Sequence, residues 1–439
     1  MDGQSVDGQG IDGQGVDGQG MDGRGADGHG VDSRMFQQTA HSPSYFELSR
    51  RMGEGGRRLI DFCVPCNPYF PTPAMFQRLA GNLENVLKFY PSDTDTIAAQ
   101  LARVLKLNPS TVVMSNGSTE LITWMDHLWV SESLAVPVPT FGRWTDQPLE
   151  TGKRVDMFPL HERDAFELDV DRYVAFIRSR GSRVAVLCNP NNPDGSYLPR
   201  REVLRFVDEL TDLDLVVVDE SFIDFVDAEQ GASVAAEAAI RPNVVVLKSL
   251  GKNFGLHGVR FGYLVANPGL AAMMRRALPR WNLNSLAEAI VFMLDEHRAE
   301  YDESLRLLAR DRFSMGVELA RMPELSVFSS QANFLLVKLA DGIDGGELRD
   351  HLLSRHGLLV RECGNKLGMS SQFLRLVVRP PQDVAHLVEG IRAFLQSRRP
   401  AAERRDPAVL LRSLSASGGE RPPELPRPRS ELWPSRRRG

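Results

Sequence analysis

Between Lys248 and Tyr263 the chain places two lysines, a serine and an arginine (Lys248, Ser249, Lys252, Arg260) just past the apolar run Val244–Leu247. A lysine amine condenses with carbonyls, and a guanidinium suits phosphate or carboxylate. A second run, Leu215–Val218, ends on Asp219, followed by Glu220-Ser221-Phe222. An acid at the end of a buried strand either caps the next turn or holds a cationic partner. A third, Val184–Cys188, leads into Asn189-Pro190-Asn191-Asn192-Pro193-Asp194-Gly195; its dipeptides alone say turn or loop. A fourth, Val112–Ser115, leads into Asn116-Gly117-Ser118-Thr119-Glu120 and then a helical pattern. A Gly-Ser-Thr turn at a helix N-terminus offers backbone N–H groups and a positive dipole end to a phosphate. Ser118 or Thr119 acting as a plain N-cap accounts for the same residues.

These segments need a scaffold. Runs apolar on both faces are what buried parallel strands look like, and helices are predicted between them, among them Thr119–Trp129 and Arg200–Leu210. The alternation predicts an α/β fold with a doubly wound, mainly parallel sheet. In such sheets ligands sit at the carboxyl ends of the strands, where all four segments fall. Beyond a helical stretch over 285–320 the pattern changes to strands Leu325–Ser329, Asn333–Lys338 and Phe373–Val378, with helices Gly346–Arg355 and Gln382–Leu395: a small α+β domain. The 439 residues divide into a pentad repeat over 1–33, an N-terminal segment of the small domain over 34–85, a large domain over 86–284, an interdomain helix and small C-terminal domain over 285–397, and a tail over 398–439.

The first 33 residues repeat with a period of five (Val6-Asp7-Gly8-Gln9-Gly10, Ile11-Asp12-Gly13-Gln14-Gly15) and carry seven Asp against one Arg. Their glycine content makes ordering costly, so disorder is expected. The G-x-G-x-x-G at Gly8–Gly13 has neither the preceding strand nor the following helix of a dinucleotide site. From Arg398 on, eleven Arg face five acids, and a mobile, solvated tail is expected. The middle has no basic face, which argues against nucleic acid. No run of about 18 apolar residues predicts a membrane helix, and the N-terminus does not read as a signal peptide. Four cysteines (Cys63, Cys66, Cys188, Cys363) make no disulfide framework in a chain this long. The expectation is a reduced, cytoplasmic protein without a metal; Cys63 and Cys66 form one C-x-x-C with no second pair. Ser249-Leu250-Gly251-Lys252 spells S-x-x-K, but the S-D-N and K-T-G of serine β-lactamases do not occur downstream.

A Schiff-base lysine, an acid for a pyridine nitrogen and a phosphate cup are what pyridoxal 5′-phosphate requires. The segments Asn189–Gly195, Val218–Phe222 and Lys248–Tyr263 resemble the fold-type I, class I and II aminotransferase superfamily. Nearest are the histidinol-phosphate aminotransferases and the threonine-phosphate decarboxylases of cobalamin synthesis, over about Phe62 to Leu395. The resemblance implies a three-layer sandwich with a mainly parallel sheet. It implies Lys252 as the Schiff-base lysine and proton carrier, Asp219 on the pyridine nitrogen, and Asn192 on the ring 3′-oxygen. Ser249 and Arg260 would bind the cofactor phosphate with the N–H groups of Gly117, Ser118 and Thr119, and Phe141 would stack on the ring. Tyr90, in Phe89-Tyr90-Pro91, would reach the phosphate of a partner subunit, so a homodimer is implied. Arg375 and Asn67 would contact the substrate. By the period of two along Phe373–Val378, Arg379 would share the strand face of Arg375.

Some positions depart from the family pattern. Asp194 stands where Thr is usual and Phe222 where aminotransferases usually have Tyr; the Phe and the run Val360–Asn365 are familiar from the decarboxylases. Their N-terminal His-Gly-Gly is missing, with only Gly55-Gly56 nearby. Trp281, in Trp281-Asn282-Leu283-Asn284, is read as core packing. The activity expected first is transamination of a small, phosphorylated amine or amino acid. The alternative is decarboxylation of a phosphate- or phosphonate-bearing amino acid. A non-catalytic regulator would have no use for Lys252, Asp219 and Asn192 together.

Overall fold

The computed structural model describes residues 45–52 and 59–398. The pentad repeat, Gly55-Gly56 and the tail from residue 399 lie outside the described residues, and the expectations about them stay there. A seven-stranded sheet runs in the order Val112–Ser115, Gly262–Val265, Val244–Lys248, Leu215–Asp219, Val184–Cys188, Ser133–Val138, Arg154–Pro159. Its neighbours pair in parallel except around Gly262–Val265, which runs antiparallel to both strands beside it. Side chains along a strand alternate between faces, and here each face has its own core. Leu187, Val216, Val218 and Val246 pack on one side; Val186, Val217, Val245 and Leu247 pack on the other. Helices cover both, which makes the three layers and explains why the strands read as unbroken apolar runs.

Two of these strands escape the sequence reading. Arg154–Pro159 sits at the sheet edge with a mixed burial pattern, and Gly262–Val265 is short and opens on a glycine. That glycine has no room for a side chain: a Cβ would meet the Ser118 amide nitrogen at 2.7 Å.

The second sheet is antiparallel, in the order Arg361–Glu362, Phe373–Val377, Phe334–Leu339, Leu325–Val327. Its core unites Leu335, Val337 and Leu376 with Leu308 and Met315 of helix Arg298–Ala320 and Leu387 of helix Pro381–Arg398. The helical stretch over 285–320 is two helices, Ser285–Met293 and Arg298–Ala320. Ile60–Asp61 pairs in parallel with Leu358–Leu359, while Pro73–Gly81 and Leu83–Lys88 pack on Ser285–Met293. Among the described residues no helix is long and apolar enough to cross a membrane.

Candidate active site

The carboxyl ends of the parallel strands open into a cavity of about 440 Å³, closed from the other side by the small sheet. Eight of the expected residues line it: Ser118, Thr119, Phe141, Asn192, Ser249, Lys252, Arg260 and Arg375.

One end is an anion cup. Strand Val112–Ser115 turns at Gly117, whose φ of +84° suits glycine, into helix Ser118–Trp129. Gly117 is the N-cap and no side chain caps the helix, so Ser118 and Thr119 do not act as N-caps here. Their backbone N–H groups have no acceptor among the described residues. Glu120 accepts from the Asn116 N–H at 2.7 Å and fixes the turn from behind. Arg260 stands over the cup: a Cβ on Gly117 would meet its Nη2 at 2.6 Å. Its backbone lies in the left-handed region, φ +56°, which costs a non-glycine residue about 1–3 kcal/mol and here aims the side chain inward. Arg260 has no ion-pair partner among the described residues, and Ser249 lines the same end.

Lys252 lies on the single turn Leu250–Asn253. Its Nζ makes no hydrogen bond among the described residues; it sits 4.5 Å from the centre of the Phe222 ring and 5.4 Å from that of Phe141. Burial holds its pKa below the ordinary lysine value, with the cations Arg375 and Arg260 adding and Asp219 and Cys188 opposing. A dry amine of lowered basicity is what a Schiff base requires. Lys248 differs in kind. Burial pulls its pKa down, but Tyr263, Glu220 and Asp224 hold it above its usual value, and its Nζ is 3.2 Å from Glu220 and 3.7 Å from Asp224.

Asp219, buried at its strand end, has both oxygens placed. Oδ1 accepts from the Ser221 N–H at 3.0 Å and Oδ2 from Trp144 Nε1 at 2.8 Å. The Asn-Pro loop is held by Asn191, which donates to the Pro139 carbonyl at 2.9 Å and to Asp194; Asp194 also accepts from the Ser196 N–H at 2.8 Å. The acid that replaces the usual Thr thus braces its own loop. Asn192 Oδ1 accepts from Arg375 Nη1 at 2.8 Å, which leaves its NH₂ as the donor end. Arg375 Nη2 donates to the Cys63 carbonyl at 2.7 Å, and its buried Nε has no partner.

Three expectations are corrected. Asn67 is not in the cavity: its amide donates to the Asn253 carbonyl (3.2 Å) and Ser304 (2.8 Å) and accepts from the Tyr69 N–H (3.0 Å), so it ties elements together. Tyr90, expected at a partner's site rather than its own, is 88% exposed and lines no part of its own chain's cavity. Trp281 is not core; it is 56% exposed and packs on Tyr90 with ring centres 5.8 Å apart. Arg379 does not join Arg375, because the strand ends at Val377 and the period of two ends with it. It bonds Asp383 at 2.9 and 3.0 Å instead.

Other lining residues went unforeseen. Arg361 pairs directly opposite Arg375 across the sheet and donates to Asn365 at 2.8 Å. Lys366 Nζ donates to the Thr140 carbonyl at 3.2 Å. His257 Nε2 lies 3.2 Å from the Pro65 carbonyl, and burial, with nearby Lys252, Arg260 and Arg375, pushes its pKa down to about 4. The lining holds six Arg or Lys against one acid, Asp146, a charge balance that favours anions. Trp144, behind Asp219, was also missed; it lies three residues beyond Phe141, the only hint in the sequence. Among the described residues no cluster could hold a metal.

The family model for aminotransferase class I and II matches residues 57–391, and the chain belongs to that family. An uncharacterised protein of Sinorhizobium fredii is 33% identical over 360 residues, 81% of this chain but 58% of its own length, so the chain spans little more than half of that relative. The L-serine phosphate decarboxylase of Campylobacter jejuni is 28% identical over 352 residues, covering 77% of this chain and 89% of that protein. A histidinol-phosphate aminotransferase of Thermoanaerobacter pseudethanolicus is 28% identical over 327 residues, 73% of this chain and 89% of that one. The solved structure of a decarboxylase from Sulfurospirillum multivorans superposes with a TM-score of 0.75 at 26% identity, covering 84% of this chain and 97% of that one. The chain is a pyridoxal 5′-phosphate-dependent class I/II enzyme, and its cup, acid and dry lysine fit that cofactor.

Proposed function

We propose that this enzyme decarboxylates an amino acid bearing a phosphate on its side chain. The observation that carries the reading is the cationic wall opposite the anion cup, where Arg361 and Arg375 pair across the small sheet and line the cavity with Lys366. The transaminase reading gives way to it. Similar proteins include L-serine phosphate decarboxylases, and Phe222 stands where a transaminase usually has Tyr.

Ser118, Thr119, Ser249 and Arg260 would hold the cofactor phosphate, Asn192 the ring 3′-oxygen, and Asp219 the pyridine nitrogen, with Phe141 against the ring face. When bound, the cofactor supplies a protonated ring that accepts the electron pair left on Cα as carbon dioxide departs. Trp144 and Ser221 orient the Asp219 carboxylate by donating to it. Arg361 and Arg375 bind the substrate's phosphate. A guanidinium clamp on the departing carboxylate would stabilise the ground state and oppose its loss, so the clamp belongs to the phosphate. Lys252 Nζ, in a dry pocket, returns a proton to Cα and completes the amine product.

The assembly proposed is a homodimer. Leu87, Phe89, Tyr90 and Trp281 form an exposed apolar patch, and Tyr90 would reach from it into the partner's cup.

Incubation with O-phospho-L-serine or O-phospho-L-threonine, with carbon dioxide and keto acid both quantified, tests the reading. One carbon dioxide per phosphorylated amine is expected. Keto acid without carbon dioxide returns the transaminase reading.

A further inference from the structure

Lys366 belongs to no expectation above, yet its amine lines the cavity beside Arg361 and Arg375. It sits on the loop joining strands Arg361–Glu362 and Phe373–Val377, is partly buried, and among the described residues makes one hydrogen bond, to the Thr140 carbonyl at 3.2 Å. An ammonium has three donors, so two remain beyond that carbonyl. The charged and titratable groups that face it are Arg375 and Arg361 on the adjoining strands, Cys363 on its own loop and Asp146 on the helix Arg143–Glu150. No salt bridge forms between Lys366 and Asp146. The side chain is thus brought into a pocket already rich in cations with, among the described residues, a carbonyl as its only hydrogen-bond partner.

We propose that Lys366 is a specificity-determining residue that, with Arg361 and Arg375, completes a three-cation subsite for the dianionic phosphate of the substrate. The inference rests on the phosphorylated-substrate reading and deepens it. Two guanidiniums carried by residues paired across the sheet present flat forks to an oxygen each. A compact ammonium from the loop adds a point charge out of that strand pair, which suits the three oxygens of a tetrahedral phosphate rather than a planar carboxylate. The same amine contacts Thr140, the residue before Phe141, so the phosphate is read close to the ring-stacking side chain. Burial first, then Arg375 and Arg361, brings the Lys366 pKa down to about 8. The amine is therefore charged below that pH, neutral above it, and an anion drawn to it loses affinity as pH rises through it. A phosphate monoester has its second pKa near about 6, so an alkaline change near 8 does not come from the ligand.

The test separates charge from the tie to Thr140. Lys366→Gln keeps a donor to that carbonyl without the charge, Lys366→Met removes both, and Lys366→Arg keeps the charge. Calorimetric titration of the holoenzyme with O-phosphoethanolamine, and KM for O-phospho-L-serine, are read for each. A charge-assisted contact of this kind predicts a Kd and KM raised about 10- to 100-fold in both Gln and Met variants. Substantial recovery in Arg is expected, with kcat within a few fold. The wild-type Kd should rise above about pH 8, and the Arg variant should lose that rise. A Gln variant with wild-type Kd, or three variants alike, overturns the charge role and leaves only a tie to Thr140. If no phosphorylated amino acid loses carbon dioxide while the Kd for O-phosphoethanolamine still depends on Lys366 charge, the decarboxylase reading fails and the anion subsite stands. If carbon dioxide is released and no variant changes Kd or KM, the subsite fails and the reaction stands.

Discussion

Removing the Arg375 guanidinium is the sharpest test of how the substrate is held. Of its five N–H donors, one reaches Asn192 Oδ1 at 2.8 Å and one the Cys63 carbonyl at 2.7 Å. Three remain, including the buried, unpartnered Nε–H. A charge-assisted hydrogen bond contributes about 1.5–3 kcal/mol, so a two-point grip on a phosphate contributes about 3–5 kcal/mol, the range for breaking a buried ion pair. At about 1.4 kcal/mol per tenfold, Arg375→Ala should lower kcat/KM for O-phospho-L-serine by a factor of roughly a hundred to a few thousand. L-serine offers no phosphate, so its already small kcat/KM should change far less. Asn192 and Cys63 each lose a donor, which costs about 1–3 kcal/mol if the site stays dry; the adjoining cavity admits water, so the fall in Tm should stay small. The cofactor should remain bound, because Lys252, Ser249 and Arg260 are untouched. Steady-state kinetics on both substrates, with the cofactor absorbance recorded, decide it. Equal proportional losses on both substrates, or none on phosphoserine, would refute the phosphate grip.

Other variants probe the remaining roles. Lys252→Ala should abolish the borohydride-trapped cofactor adduct and nearly all turnover; an adduct mapped to Lys248 would contradict the assignment, since Lys248 is engaged by Glu220 and Asp224. Trp144→Phe keeps the ring but deletes the 2.8 Å donor to Asp219, and should lower kcat about tenfold or more. Its effect should be largely absent in an Asp219→Asn background, and full additivity would remove Trp144 from the pyridine-side network. Tyr90→Ala and Lys252→Ala chains, each nearly inactive alone, should regain roughly a quarter of wild-type activity when refolded together, because one site of the mixed dimer is intact. No recovery, with heterodimers shown by mass spectrometry, would place Tyr90 outside the partner's site.

Much of this site was legible because buried parallel strands announce themselves. Val112–Ser115, Val184–Cys188 and Leu215–Asp219 were bounded as the structure bounds them, and the residue after each carboxyl end is where an α/β sheet binds ligands. What stayed hidden depends on pairings that no local pattern encodes. Arg361 faces Arg375 only because two strands fourteen residues apart come into register. Lys366 reaches Thr140 across 226 positions. Trp144 has no part in the sequence reading and shows its role only where its indole N–H meets Asp219. Arg379 was misplaced for the opposite reason: the period of two was carried past Val377, where the strand had ended and Pro380-Pro381 starts a helix. Trp281 was misplaced because apolar size says buried, whereas its left-handed backbone, φ +53°, turns it out against Tyr90.

The cavity's electrostatics bind these observations together. Lys252, Lys366, Arg375 and His257 all have lowered pKa values, burial being the largest cause in each and neighbouring cations the next contributors that push the same way. Clustering positive charge in a dry space opposes folding unless anions bind it. The arrangement sets this demand twice, at Arg260 with the cup and at Arg361, Lys366 and Arg375, and Lys252 feels both Arg260 and Arg375. The cofactor phosphate answers the first. A substrate with a neutral side chain would leave the second unanswered, even if it fitted the space. A side-chain phosphate, carrying about −1.5 to −2 at neutral pH, answers it and leaves the α-carboxylate outside the clamp. On the proposed reaction, selectivity for the phosphorylated substrate and freedom of its carboxylate to leave would come from one placement of charge.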